Sequence, residues 1–90
     1  MFEKLEFSPN GIGIGARIRF ENGYEASVVR GPYTYGGREG FYELAVLHEG
    51  RIVYDTPVTG DVCGWLTEEQ VSEKLAEIEA LPVRTEEEEG

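Results

Sequence analysis

The stretch Ile12-Gly13-Ile14-Gly15-Ala16-Arg17-Ile18-Arg19-Phe20-Glu21-Asn22-Gly23-Tyr24-Glu25-Ala26-Ser27-Val28 carries the reading of the fold. Every even position from Ile12 to Phe20 is apolar, while the odd positions hold glycine or arginine. That period of two marks a strand with one buried face. Asn22-Gly23 has the composition of a two-residue hairpin turn, but that register sets Phe20 against Glu25 and Ile18 against Ser27. A three-residue loop, Glu21-Asn22-Gly23, instead pairs Phe20 with Tyr24, Ile18 with Ala26 and Ala16 with Val28. A slip of one residue turns every side chain to the other face, so the register that keeps apolar residues together is preferred. Gly23 then supplies the left-handed residue of a bulged loop.

Upstream, Leu5 and Phe7 alternate with Lys4 and Glu6, which predicts a first strand. Ser8-Pro9-Asn10-Gly11 has the residues of a turn after it. Downstream, a three-residue loop at His48-Glu49-Gly50 sets Val46 opposite Ile52 and Leu44 opposite Tyr54. Tyr42 extends that buried stripe, and Ala45, Leu47 and Val53 fall on the reverse face. This second hairpin is apolar on both sides, so its outer face is either covered or meets a partner.

Leu66-Thr67-Glu68-Glu69-Gln70-Val71 predicts a helix start, with Thr67 as N-cap and Gln70 completing a capping box. Leu66 and Val71 stand at the positions of a hydrophobic staple. Val71, Leu75, Ile78 and Leu81 recur at helical spacing, and Pro82 ends the run. The expected architecture is therefore α+β: an antiparallel meander of about five strands, order β-β-β-β-β-α, with one amphipathic helix across its apolar face. Residues 1–82 read as a single domain, and 83–90, with four consecutive glutamates, as a disordered acidic tail.

The chain of 90 residues has a formal net charge of −10. Residues 1–65 hold nine acids and six bases, whereas 66–90 hold nine acids and two bases, so the excess belongs to the helix and tail. Nucleic acid is a poor direct ligand for such a chain, because phosphate binding needs clustered Lys and Arg. A protein with a basic surface is the natural complement. The single cysteine leaves no intramolecular disulfide, which fits a reducing interior. The N-terminal residues lack a signal-peptide pattern, and no apolar run approaches the roughly 20 residues of a membrane helix. The expected location is cytoplasmic.

Candidate chemistry is sparse. Gly11-Ile12-Gly13-Ile14-Gly15 lies inside a strand pattern, where a phosphate loop would follow a strand and open a helix. The glycines there suit a bend or a close approach of backbone. Cys63 and His48 are the only thiol and the only imidazole. A nucleophilic pair would need them adjacent with a third group to orient the base, and one Cys with one His falls short of a zinc site. Asp55 and Asp61 bracket a loop in which turn and capping roles suffice. The reading is of a non-enzyme with no metal and no cofactor.

Two surfaces remain. The connector Arg30–Gly40 is long for a meander, and Tyr33, Tyr35 and Arg38 are residue types that anchor protein interfaces. The alternative is that its tyrosines fold back on the sheet edge. On the helix, Glu69, Glu73 and Glu77 stand at i, i+4 and i+8, where like charges cost a few tenths of a kcal/mol per pair. They form either a solvated face or an acidic stripe for a basic groove. One charge per roughly 6 Å of helix is too sparse to imitate duplex DNA, which carries one per roughly 1.7 Å.

The segments Asn22–Arg30, Tyr35–Gly40, Tyr42–Leu47, Tyr54–Thr59 and Leu66–Glu69 together resemble a family of small proteins encoded by tailed bacteriophages and prophages. The likeness spans about residues 22–81 and brings no catalytic residues with it. It implies an accessory protein acting by protein–protein interaction in the cytoplasm of a bacterial host. An acidic, anti-CRISPR-like inhibitor of a host nucleic-acid-binding or defence complex is the leading expectation. The runner-up is an assembly module, for instance a homodimer, joined through Leu47, Val53 and the flat face of Gly13 and Gly15.

Overall fold

In a computed structural model, which describes residues 1–58 and 62–83, the chain forms one antiparallel sheet and one C-terminal helix. The strands are β1 (Ser8–Asn10), β2 (Gly13–Arg19), β3 (Tyr24–Arg30), β4 (Tyr42–His48), β5 (Arg51–Ile52) and β6 (Cys63–Leu66), followed by α1 (Glu68–Glu79). The α+β meander expected from the sequence is present, with a sixth strand added. The order is β1-β2-β3-β4-β5, and β6 also pairs with β4. The far edge of β4 is thus shared by two short strands, β5 at Leu47 and His48 and β6 at Tyr42 and Leu44.

The first hairpin has the expected register. Ile18 pairs with Ala26 and Ala16 with Val28, and the Phe20 N–H donates to the Tyr24 carbonyl at 2.8 Å. Gly23 takes φ +95°, the left-handed conformation that the loop demands.

The second hairpin departs from the expected register by one residue. Leu47 pairs with Ile52 and His48 with Arg51, so the loop is two residues, Glu49-Gly50. Both have positive φ, +53° and +82°, which matches a type I′ turn and the twist of the flanking strands. The Val53 N–H then donates to the Val46 carbonyl at 2.9 Å, and Val53 packs against the core. Tyr54, placed by the sequence on the buried stripe, is 58% exposed.

The N-terminus also differs. Ser8-Pro9-Asn10, read as a turn, is β1, and the reversal falls on Gly11 (φ +63°) and Ile12, which is exposed. Leu5 and Phe7 belong to no strand. After a single 3-10 turn (Phe2–Lys4), this segment crosses the core face beside α1. The Phe2 N–H donates to Ser72 Oγ at 2.7 Å, and the Phe2 and Phe7 rings lie 5.2 and 5.6 Å from that of Tyr42. The alternation of Leu5 and Phe7 with charged residues therefore serves a lid, which also has one buried and one wet side.

The core lies between the even-numbered face of the sheet and α1. Ala26, Val28, Leu44, Val46, Val71, Leu75 and Ile78 are fully enclosed, with Leu66 and Val58 beside them. The helix starts as read: Gln70 N–H donates to Thr67 Oγ1 and Thr67 N–H to Gln70 Oε1, at 3.1 and 2.9 Å. The expected acidic tail falls, beyond Val83, outside the described residues. Among the described residues no helix is long and apolar enough to cross a membrane.

Candidate protein-binding surface

The connector after β3 is a built loop. Thr34 Oγ1 accepts from the Gly31 N–H at 3.0 Å and donates to the Gly31 carbonyl at 2.9 Å. A 3-10 turn (Gly37–Glu39) follows, flanked by Gly36 and Gly40 in the left-handed region, and the Phe41 N–H closes back on the Gly36 carbonyl at 3.0 Å. Arg38 is exposed, and its Nε donates to the Pro32 carbonyl at 3.3 Å, which ties the loop to itself. Such internal bonding presents side chains at little further ordering cost.

β6 clamps this loop. Opposite Glu43, β6 contributes two residues, Gly64 and Trp65, between the pairs Tyr42–Leu66 and Leu44–Cys63. This is a β-bulge, and Trp65, its second residue, is left-handed at φ +58°. The Trp65 N–H donates to the Tyr35 carbonyl at 3.2 Å. The indole lies against Gly36, where a Cβ would come within 2.9 Å of it, and Tyr35 lies against Gly64 so closely that a Cβ there would collide with the Tyr35 Cβ. Each aromatic residue is thus seated on a glycine of the opposing segment. Phe41 completes the group with its ring 5.8 Å from that of Trp65.

Despite this seating the rings remain open to solvent. Tyr33 is 86% exposed, Tyr35 62% and Trp65 56%. Of the loop residues singled out in the sequence, both tyrosines face water, while Arg38 acts as an internal tie. Trp65 was missed as a surface residue, because its exposure depends on a bulge formed against Glu43 and on Gly36, and both of these partners are far away in sequence. The signal available was a lone tryptophan preceded by glycine.

Glu69, Glu73 and Glu77 are all exposed on α1, which begins just after Trp65. Glu77 has a long contact of 3.9 Å with Lys74, whose Nζ also donates to the Val58 carbonyl at 3.1 Å. Neither Glu69 nor Glu73 has an ion pair among the described residues, so the row keeps most of its charge.

Other candidates do not assemble. Cys63 lies opposite Leu44, whereas His48 is four residues further along β4, about 13 Å away at the usual strand rise. His48 is buried, with its ring 6.0 Å from that of Tyr24. Gly13 meets the Arg30 carbonyl and Gly31 so closely that no Cβ fits, which accounts for a glycine there in terms of crossing backbones. No group of three or more metal-ligating side chains converges among the described residues. On the outer face, Glu25 is buried, and its Oε2 accepts from Arg19 Nε and Nη2 at 3.1 and 3.0 Å. Its Oε1 is enclosed without a partner. Compared with known proteins, the chain matches no family model, no curated protein and no solved structure.

Proposed function

We propose that this chain is a non-catalytic protein-binding module, in which Tyr33, Tyr35 and Trp65 form the anchor and the acidic row of α1 selects a basic partner. The observation that carries the reading is the exposure of three large aromatic rings on a locked segment, one of them held in a backbone conformation that costs on the order of 1–3 kcal/mol. Aromatic side chains with few rotatable bonds, fixed in advance, are the usual source of binding energy at interfaces. The phage-type resemblance supplies a setting: a bacterial cell, with a host nucleic-acid-binding or defence complex as target class.

Capture of partners from bacterial lysate tests this, comparing the native chain with Trp65→Ala, Tyr35→Ala and the triple variant Glu69→Lys/Glu73→Lys/Glu77→Lys. Loss of the same partner in all three supports the reading. Retention in the aromatic variants removes the anchor, and retention in the triple variant removes the acidic contribution.

Assembly through the sheet face has less support. Leu47 is already buried within the single chain, Val53 packs inward, and Gly13 is closed off by Arg30.

A further inference from the structure

β2 is seven residues long and β1 only three, and the difference leaves part of an edge open. Phe20 bonds to Tyr24, so the even residues of β2 direct their backbone groups to β3, and the odd residues direct theirs to the β1 side. β1 satisfies Gly13 and Gly15, opposite Asn10 and Ser8, and then ends. Residues 1–7 leave the ladder to cover the core, so Arg17 and Arg19 have no β-ladder partner on that side among the described residues. Two clefts border this stretch of β2. One, of about 350 Å³, opens on the outer face, where Glu6 and Ser8 meet Gly15 and Arg17 and the floor reaches Ser27 and Val29 of β3. The next, of about 660 Å³, is bordered by Lys4, Ile18, Arg19, Phe20 and Val83.

We propose that this edge of β2 is a strand-addition site for an extended segment of a partner protein whose residues alternate acidic and apolar. The backbone groups of Arg17 and Arg19 supply the ladder bonds. The side chains of Arg17 and Arg19 lie on the outer face. Arg19 is already paired with Glu25, whereas Arg17 has no ion pair among the described residues. The partner residue opposite Arg17 therefore most strongly favours Asp or Glu, and the one opposite Arg19 shares its guanidinium with Glu25. The residue between them, opposite Ile18, falls on the inner face, where Ile18, Phe20 and Val83 line the cleft and favour an apolar side chain. A second copy of the same edge fits badly, since it would set arginine against arginine. This chain's own run Glu86–Glu89 lacks the apolar position. The site is separate from the aromatic surface and does not depend on it.

Amide NMR spectra of the full chain, titrated with a short end-blocked peptide alternating glutamate and valine, test the proposal. In the free chain the amides of Arg17 and Arg19 should exchange quickly and those of Ala16 and Ile18 slowly. Saturable shifts and new protection confined to residues 16–20 are expected on adding the peptide. A lysine–valine peptide should give none, and Arg17→Glu/Arg19→Glu should weaken binding roughly tenfold. The same peptide methylated on alternate amides keeps its side chains but lacks the donors, and should not bind even if the double variant fails to fold. Protection of Arg17 and Arg19 before any peptide is added would overturn the proposal, since the edge would already be filled by the chain itself or by a second copy. Equal binding of the methylated peptide, or shifts centred elsewhere, would overturn it as well.

Discussion

Where β2 passes to β3 the chain turns through Glu21-Asn22-Gly23, and where β4 passes to β5 it turns through Glu49-Gly50. The first turn is built into the core. Asn22 is buried, its Nδ2 donates to the carbonyls of Ile78, Glu79 and Leu81 at 2.8, 3.3 and 3.0 Å, and its Oδ1 accepts from the Tyr24 N–H. One side chain thus closes the hairpin and caps the C-terminal end of α1, whose last carbonyls have no partner within the helix. The second turn touches solvent. The left-handed residues of the β1–β2–β3 side, Gly11 and Gly23, are glycines. The only non-glycine residues with positive φ among those described, Glu49 and Trp65, both lie along the far edge of β4. Conformational ease is concentrated on one side of the sheet and strain on the other, and the exposed aromatic group proposed as an anchor lies on the strained side. Strain retained beside a proposed binding surface is the pattern expected where function, and not stability, fixed the residue.

The sharpest way to break this contrast is Asn22→Ala. It leaves the backbone conformation free but takes the acceptor from the buried Tyr24 N–H and a donor from the half-buried Leu81 carbonyl, while the Ile78 carbonyl keeps its bond from the Leu81 N–H. A buried group left unsatisfied costs about 1–3 kcal/mol. Partial rehydration brings the expected loss to about 2 kcal/mol, read as a lower urea midpoint, with exchange at the end of α1 rising most. A change below about 1 kcal/mol would mean that hairpin and helix are secured independently, and the contrast between the turns would vanish.

The same contrast explains what the sequence made legible. The β2–β3 register could be read because one face of each strand is polar, so a slip carries Glu25 and Ser27 into the core. The helix start could be read because the capping box is local. The β4–β5 register could not, since Ala45, Leu47, Ile52 and Val53 make both faces apolar and a slip leaves a similar pattern. Turn geometry decided it instead. Leu5 and Phe7 satisfy the alternation of a strand and of a lid alike, and four residues at Cys63–Leu66 are too few to show a period. Of the proposed binding surface, Tyr33 and Tyr35 were legible from loop length and residue type. Trp65 was not, because its place follows from a bulge opposite Glu43 and from the absence of a side chain at Gly36.

Trp65 tests whether strain and binding are coupled through a single residue. Trp65→Ala removes the ring and keeps the strain of the left-handed backbone, whereas Trp65→Gly removes both ring and strain. Glycine relieves a conformation that costs an L-residue roughly 1–2 kcal/mol and regains less than that after its own entropy loss. The glycine variant should therefore be more stable than the alanine variant by about 1 kcal/mol in chemical denaturation. Both should fail to capture partner from lysate. Binding that followed stability, returning in the glycine variant, would show that the indole contributes only rigidity.

The smallest effect belongs to the second turn. Glu49→Asn produces Asn before Gly50, the pair most favoured in two-residue type I′ turns, and eases φ +53° without adding a second flexible glycine. A gain of about 0.5 kcal/mol is expected, with partner capture unchanged, because Glu49 is exposed and lies at the opposite end of β4 from Trp65. Measured against Trp65→Gly, the pair separates two kinds of strain on one edge. Relief at Glu49 should be neutral for binding and relief at Trp65 should abolish it. A loss of binding in Glu49→Asn would extend the surface along the whole far edge of β4, and the division would then run between the two edges of the sheet.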